Sequence, residues 1–130
     1  IARNVDSVLG IELNPDAVKS AGENARLNEI DNCEFIAGDV RKTLDKLIEE
    51  DQKFDTIIAD PPRAGIGHKT LIRIFKLKPQ KIVYISCNPA TLAADIRELR
   101  QHGYRLDKTV LVDMFPHTFH IETASRLSRK

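Results

Sequence analysis

Alternation is what restricts this chain most. Four short apolar runs, each with a polar residue at or next to its end, take turns with longer stretches whose apolar positions recur at helical spacing. The runs are VDSVLGIEL at 5–13, CEFIAGD at 33–39, FDTIIAD at 54–60 and KIVYISC at 81–87. Each reads as a largely buried strand. After the first run, Asn14 offers a side-chain acceptor to free N–H groups and Pro15 suits a first helical position, so a helix is predicted from there to about Asn28. Its inward stripe is predicted as Ala17, Val18, Ala21, Ala25 and Leu27. Further helices are predicted at 40–51, with Val40, Leu44, Leu47 and Ile48 inward, at about 68–76, and at 89–102, ended by Gly103. Strands separated by helices make βαβ units, which build a parallel sheet. The fold class is therefore α/β, a doubly wound and mostly parallel sheet. The last stretch, YRLDKTVLVDMFPHTFHIETASRLSR, reads as an antiparallel pair of strands, roughly 104–113 and 119–127, around a loop with Pro116.

A length of 130 residues predicts one domain, 1–130. Hydrophobic residues at 42% and charged residues at 30% suit a globular protein rather than a disordered or fibrous one. There is no apolar run of about 18 residues for a membrane span and no secretory signal. A net charge of +1 neither requires nor excludes a polyanionic partner. The two cysteines, Cys33 and Cys87, form no C-x-x-C pair, which points to a reducing cytoplasmic setting and leaves Cys87 to be explained. The chain opens on IARNVDSVLGIEL, with no initiator Met or lead-in, so a piece of a longer protein is expected.

In doubly wound sheets, ligands bind beyond the carboxyl ends of the strands. Four predicted ends carry polar residues: Glu12, Asp39, Asp60 and Cys87. Glu12 can accept hydrogen bonds from both hydroxyls of a ribose, or it is a solvated carboxylate favoured by the dipole of the next helix. Asp39 can receive the exocyclic amine of an adenine, or it caps the helix at 40–51. Asp60 is followed by Pro61, Pro62 and Arg63; the two prolines stop the strand and hold Asp60 stiffly at the rim, where it accepts from a base or cofactor or serves the turn. Cys87 precedes Asn88, a good N-cap, and Pro89, a good first helical residue. The positive end of that helix favours a thiolate, which makes Cys87 a candidate nucleophile; the alternative is a small packed side chain. The loop DMFPHTFHIE supplies the candidate bases His117, His120 and Glu122. Its H-x-x-H spacing matches neither a helical zinc motif nor a cysteine-rich set, so no metal is expected. A thiolate and a proton acceptor make a working pair, with Glu122 facing Cys87.

Taken together, GIELNPDAV, IADPPRAG, YISCNPATLAADI and DMFPHTFHIE resemble, in order, the S-adenosylmethionine-dependent RNA uridine-5-methyltransferases, over about residues 5–128. The resemblance implies a Rossmann-like methyltransferase fold, S-adenosyl-L-methionine as cofactor and uridine of ribosomal or transfer RNA as substrate. It implies Cys87 as nucleophile and Glu122 as proton acceptor. Glu12, Asp39 and Asp60 would serve the cofactor, with Asp60 and Arg63 also reaching the substrate. Phe115 and Phe119 are candidates to stack on the base, and Arg63, Arg97, Arg100, Arg126 and Arg129 to meet phosphates. The family's first strand and Gly-rich turn have no counterpart in the chain; GIG at 65–67 lies in the wrong context. Weak or absent cofactor binding by this chain alone is expected. So is a sheet that closes the resulting gap by repacking or with strands of another copy, a homo-oligomer. Two other readings stay open: a D-P-P methyltransferase acting on amino groups, which needs no Cys87, and an inactive folded remnant.

Overall fold

A computed structural model describes residues 1–114, 116–118 and 121–130. The chain forms two compact units, Ile1–Leu47 and Ile48–Lys130. In the first, β1 (Val8–Glu12), α1 (Pro15–Leu27) and β2 (Cys33–Ala37) make one βαβ unit, and α2 (Val40–Glu49) comes after it, ending across the boundary. The strands pair in parallel from Val8↔Cys33 to Glu12↔Ala37. Gly10 lies opposite Phe35, and a Cβ there would come within 2.7 Å of the ring, so this strand position belongs to glycine for reasons of space. Asn14 caps α1 as predicted, its side chain accepting from the Asp16 N–H at 2.9 Å. The predicted stripe narrows to the half-buried Val18, Ala21 and Ala25; Ala17 and Leu27 are exposed. At about 3.6 residues per turn, Leu27 lies on the opposite side of the helix from Val18, which explains its 70% exposure. Only Ala2, Leu44 and Leu47 are buried in this unit.

The second unit contains β3 (Thr56–Ala59), α3 (His68–Leu77), β4 (Lys81–Ser86), α4 (Pro89–Gln101), β5 (Tyr104–Val112) and β6 (Glu122–Arg129). Its sheet runs β3-β4-β6-β5. β3 and β4 are parallel, and β6 runs antiparallel to both of its neighbours. Burial alternates along β4, with Ile82, Tyr84 and Ser86 inside. These meet a core built from Leu71, Ile74 and Leu77 of α3, Leu92 and Leu99 of α4, Tyr104 and Leu127. Among the described residues, no helix is long and apolar enough to cross a membrane.

The mixed α/β character with parallel strands matches the prediction, but the ladders, two parallel and two antiparallel, form two sheets rather than one. The first strand ends at Glu12, not after it, and Leu13 is 68% exposed. The last strand starts at Glu122 rather than 119 and runs to Arg129. Phe119 and His120, at the start of the predicted range, lie outside the described residues.

Candidate active site

Three strand ends of the second unit meet at one rim. β3 and β4 are parallel, so Asp60 and Cys87 both follow carboxyl ends at this rim, with β4 running two residues past the last β3 pair, Ala59↔Tyr84. β6 is antiparallel to β4, so its first residue, Glu122, lies at the same rim. The β4–β6 register ends on Ser86↔Thr123, and Cys87 and Glu122 are the residues that adjoin this last pair. Both Cys87 and Glu122 are half-buried.

The backbone that presents Cys87 is held on both sides. The Ser86 hydroxyl donates to the Asn88 carbonyl and accepts from the Asn88 N–H, each at 3.1 Å. The Thr123 hydroxyl donates to the Ser86 carbonyl at 3.0 Å, tying β6 to this elbow. Asn88 caps α4 as predicted, its side-chain oxygen accepting from the Ala90 N–H at 3.1 Å, with Pro89 in the first turn. Its amide also donates to the Arg63 carbonyl at 3.1 Å, and the Thr91 hydroxyl donates to the same oxygen at 3.1 Å. The loop after Asp60 is therefore strapped to the start of the helix that comes after Cys87. Asp60 and Arg63 are exposed. Sequence pattern identified Asn88 as a cap but not its second bond, and it did not single out Ser86, Thr91 or Thr123. Thr91 and Thr123 have partners far along the chain, out of reach of any local motif, whereas the Ser86–Asn88 bonds span two residues.

In the first unit, Glu12 ends β1 and Asp39 follows β2 by two residues. Glu12 accepts the Asn14 N–H through Oε1 at 2.8 Å. Asp39 caps α2, its Oδ1 accepting from the N–H groups of Arg41 at 2.9 Å and Lys42 at 3.2 Å. The Lys42 N–H and then the Arg41 side chain hold the Asp39 carboxyl below its ordinary range, against an opposing effect of burial. Both carboxylates thus carry the local role weighed for them. A carboxylate has about four acceptor directions, so each keeps capacity for a further donor. Taken one by one, Glu12 and Asp39 of the first unit and Asp60 of the second are acceptors of the kind that a nucleoside's ribose hydroxyls and exocyclic amine require.

His117 is exposed and has a positive φ of 69°. Phe115, Phe119 and His120 lie outside the described residues, so the stacking role and half of the H-x-x-H pair fall there. Among the described residues no group of three or more His, Cys, Asp or Glu side chains is placed to hold a metal. Arg97, Arg100, Arg126 and Arg129 lie on the second unit. Of these, Arg126 faces Asp107 at 3.5 Å, and Arg129 donates to the Lys78 carbonyl at 3.5 Å.

The family profile described as tRNA (Uracil-5-)-methyltransferase matches residues 1–130. An uncharacterized RNA methyltransferase of Clostridium acetobutylicum is 47% identical over 129 residues, which are 99% of this chain and 28% of that protein. Another, from Clostridium tetani, is 48% identical over 130 residues, 100% of this chain and 28% of its own length. Among solved structures, Pyrococcus abyssi tRNA (uracil-54, C5)-methyltransferase in complex with S-adenosyl-L-homocysteine superposes with a TM-score of 0.78 at 37% identity. That match covers 97% of this chain and 30% of the Pyrococcus one. NSun6 from Pyrococcus horikoshii, with SFG, shares the fold at a TM-score of 0.74 and 15% identity, over 95% of this chain and 41% of its own. The chain spans 28% of the length of the curated relatives it matches.

Proposed function

This chain belongs to the tRNA (uracil-5-)-methyltransferase family, and from that premise we propose that residues 1–130 are catalytic-domain sequence of an enzyme that methylates C5 of a uridine in transfer or ribosomal RNA. S-adenosyl-L-methionine is the proposed cofactor, with Glu12, Asp39 and Asp60 on its nucleoside side, and Asp60 with Arg63 toward the RNA. An RNA substrate and two free cysteines fit a cytoplasmic setting.

The observation that supports the reading is the β4–β6 register, which ends on Ser86↔Thr123, the pair next to Cys87 and Glu122. Uracil C5 is a weak nucleophile. The Cys87 thiolate adds to C6, forming a C–S bond while the ring's double-bond electrons move to C5 and the adjoining carbonyl. When bound, S-adenosyl-L-methionine supplies the electrophilic methyl group that C5 takes up. Glu122 then accepts the C5 proton, the electrons of that C–H bond restore the double bond, and the Cys87 sulfur leaves C6 as thiolate. Asn88 and Ser86 fix the backbone on which the sulfur rides. The base is flipped out of its stack to reach this rim, at a cost of a few kcal/mol.

The test is made on the whole protein that carries this chain. With RNA bearing 5-fluorouridine at the target, the C5 fluorine cannot leave as a proton, so a covalent protein–RNA complex stable to denaturant is expected. Cys87→Ala should form none. Glu122→Gln should accumulate the same adduct on ordinary RNA, with turnover lowered about 10²–10⁴-fold, the range for loss of a general base. Methylation by Cys87→Ala at the normal rate would overturn the proposal and favour amino-group chemistry, which needs no thiol.

A further inference from the structure

We infer that Asp95 is a positioning residue that locks the Asp60–Gly67 loop onto α4, so that the loop and the Cys87 elbow are held as one body. The inference rests on the proposed reaction for its consequence, but its geometry stands on its own.

Asp95 is 8% exposed and lies on the same stripe of α4 as the buried Leu92 and Leu99. A carboxylate in such a stripe is destabilising unless hydrogen-bonded. Its Oδ2 accepts from the Tyr84 hydroxyl at 2.6 Å and from the Ile66 N–H at 2.8 Å. Tyr84 is fully buried on β4, three residues before Cys87, and its oxygen also lies 3.2 Å from the Ile66 nitrogen. One buried carboxylate therefore joins strand, loop and helix. Burial first, and then the Asp95 carboxylate, push the Tyr84 hydroxyl well above its ordinary pKa, so it remains a donor at all working pH values.

The loop is shaped around that oxygen. Gly65 has φ +84°, and a Cβ at this position would stand 2.7 Å from Asp95 Oδ2. Two more ties act in the same direction: the Arg63 carbonyl on Asn88 and Thr91, and His68 Nδ1 2.6 Å from Glu98 Oε1. The segment from Arg63 to His68 is thus fastened to α4 at three levels, and the Asp95 tie is the one made by a buried side chain. Arg63, proposed to meet the RNA, is at the start of this fastened segment, and Asp60 comes three residues before it. Cys87 sits where β4 runs into α4. Without Asp95 the segment keeps only its two more exposed ties to α4, and misplacement by about 1 Å is enough to lower a rate on the order of a hundredfold.

The experiment uses the whole protein and three variants: Asp95→Ala, Asp95→Asn and Tyr84→Phe. Asn keeps one carbonyl oxygen able to accept both bonds, Ala keeps none, and Phe removes only the hydroxyl. Two readouts are taken. Amide exchange at Ile66 and alkylation of Cys87, followed by peptide mass spectrometry, need no RNA. Methylation is expressed per site that traps 5-fluorouridine RNA, which cancels any loss of folded protein. Asp95→Ala is expected to lose protection at Ile66, to change the alkylation rate of Cys87, and to lower kcat/KM per trapped site about tenfold to a hundredfold. Asp95→Asn should recover most of both, and Tyr84→Phe should fall between.

Undiminished Ile66 protection in Asp95→Ala, or in Tyr84→Phe and Asp95→Asn together if Asp95→Ala does not fold, would overturn the lock. Loss of protection with unchanged methylation per site would overturn its role in positioning. If instead Cys87→Ala methylates normally, the proposed reaction fails while the exchange result still decides the lock.

Discussion

Asp107 illustrates what a single side chain does here. It sits at the irregularity of β5 between Leu106 and Lys108, and its carboxylate takes the Ser128 hydroxyl, Arg105 Nε at 3.1 Å and Arg126 Nε at 3.5 Å. The Ser128 hydrogen bond, then the Arg105 hydrogen bond and the two guanidinium charges, hold its carboxyl below the ordinary value near 3.8, with burial opposing. A carboxyl with a lowered folded pKa contributes stability that is present above its unfolded pKa and is lost as pH falls through the folded value. Thermal melts from pH 7 downward should therefore show a decline that begins near pH 4, the ordinary carboxylate range, and Asp107→Asn should flatten it. Asp39 carries the same sign, and Asp39→Ala should also fray α2. Asn14→Ala removes a cap at the other helix start and should lower stability by about 1 kcal/mol in denaturant melts. At this scale, residues with local jobs were legible in the sequence: Asn14, Asn88 and Asp39 are each marked by the helix that begins at the next position. Asp95 was not legible, because its loop partner Ile66 is 29 positions away and only the fold brings the two together.

Helices were the elements best read in advance, since caps, prolines and terminal glycines mark their ends. Strand limits drifted by a few residues because a ladder ends where its partner ends, which a single run does not reveal. The narrower stripe of α1 has the same origin: apolar spacing shows which residues can be buried, and neighbours decide which are. The loop Asp60–Gly67 shows an element set by one conformation. Gly65→Ala adds a side chain at φ +84° and presses it into Asp95. A melt of Gly65→Ala should show a loss of about 1–3 kcal/mol, the range for a residue held in a strained backbone region. Gly22 is the comparison: it is helical, and a Cβ added to it would meet nothing within 4 Å, so Gly22→Ala should stabilise α1 by about 0.5–1 kcal/mol.

For the molecule as a whole, the division into two units matters more than the single domain expected from length. The first unit buries only Ala2, Leu44 and Leu47, whereas the second buries Leu71, Ile74, Leu77, Ile82, Tyr84, Leu92, Leu99, Tyr104 and Leu127. Local opening follows buried apolar contact. Hydrogen exchange on this chain should show β1 and β2 amides exchanging faster than those of β4 and β6, and equal protection would refute unequal cores. Parallel pairing and the α/β class were legible from the alternation of runs. The placing of β6 between β4 and β5 was not, because either edge of an antiparallel pair can face the rest of a sheet.

That placing has a consequence during synthesis. β6 leaves the ribosome after β3, β4 and β5, yet it is the strand that lies between β4 and β5. Until it emerges, the nascent chain holds two unzipped edges, on β4 and β5, that β6 closes. The same segment delivers Glu122, so synthesis halted before that point leaves Cys87 without the carboxylate proposed as its partner.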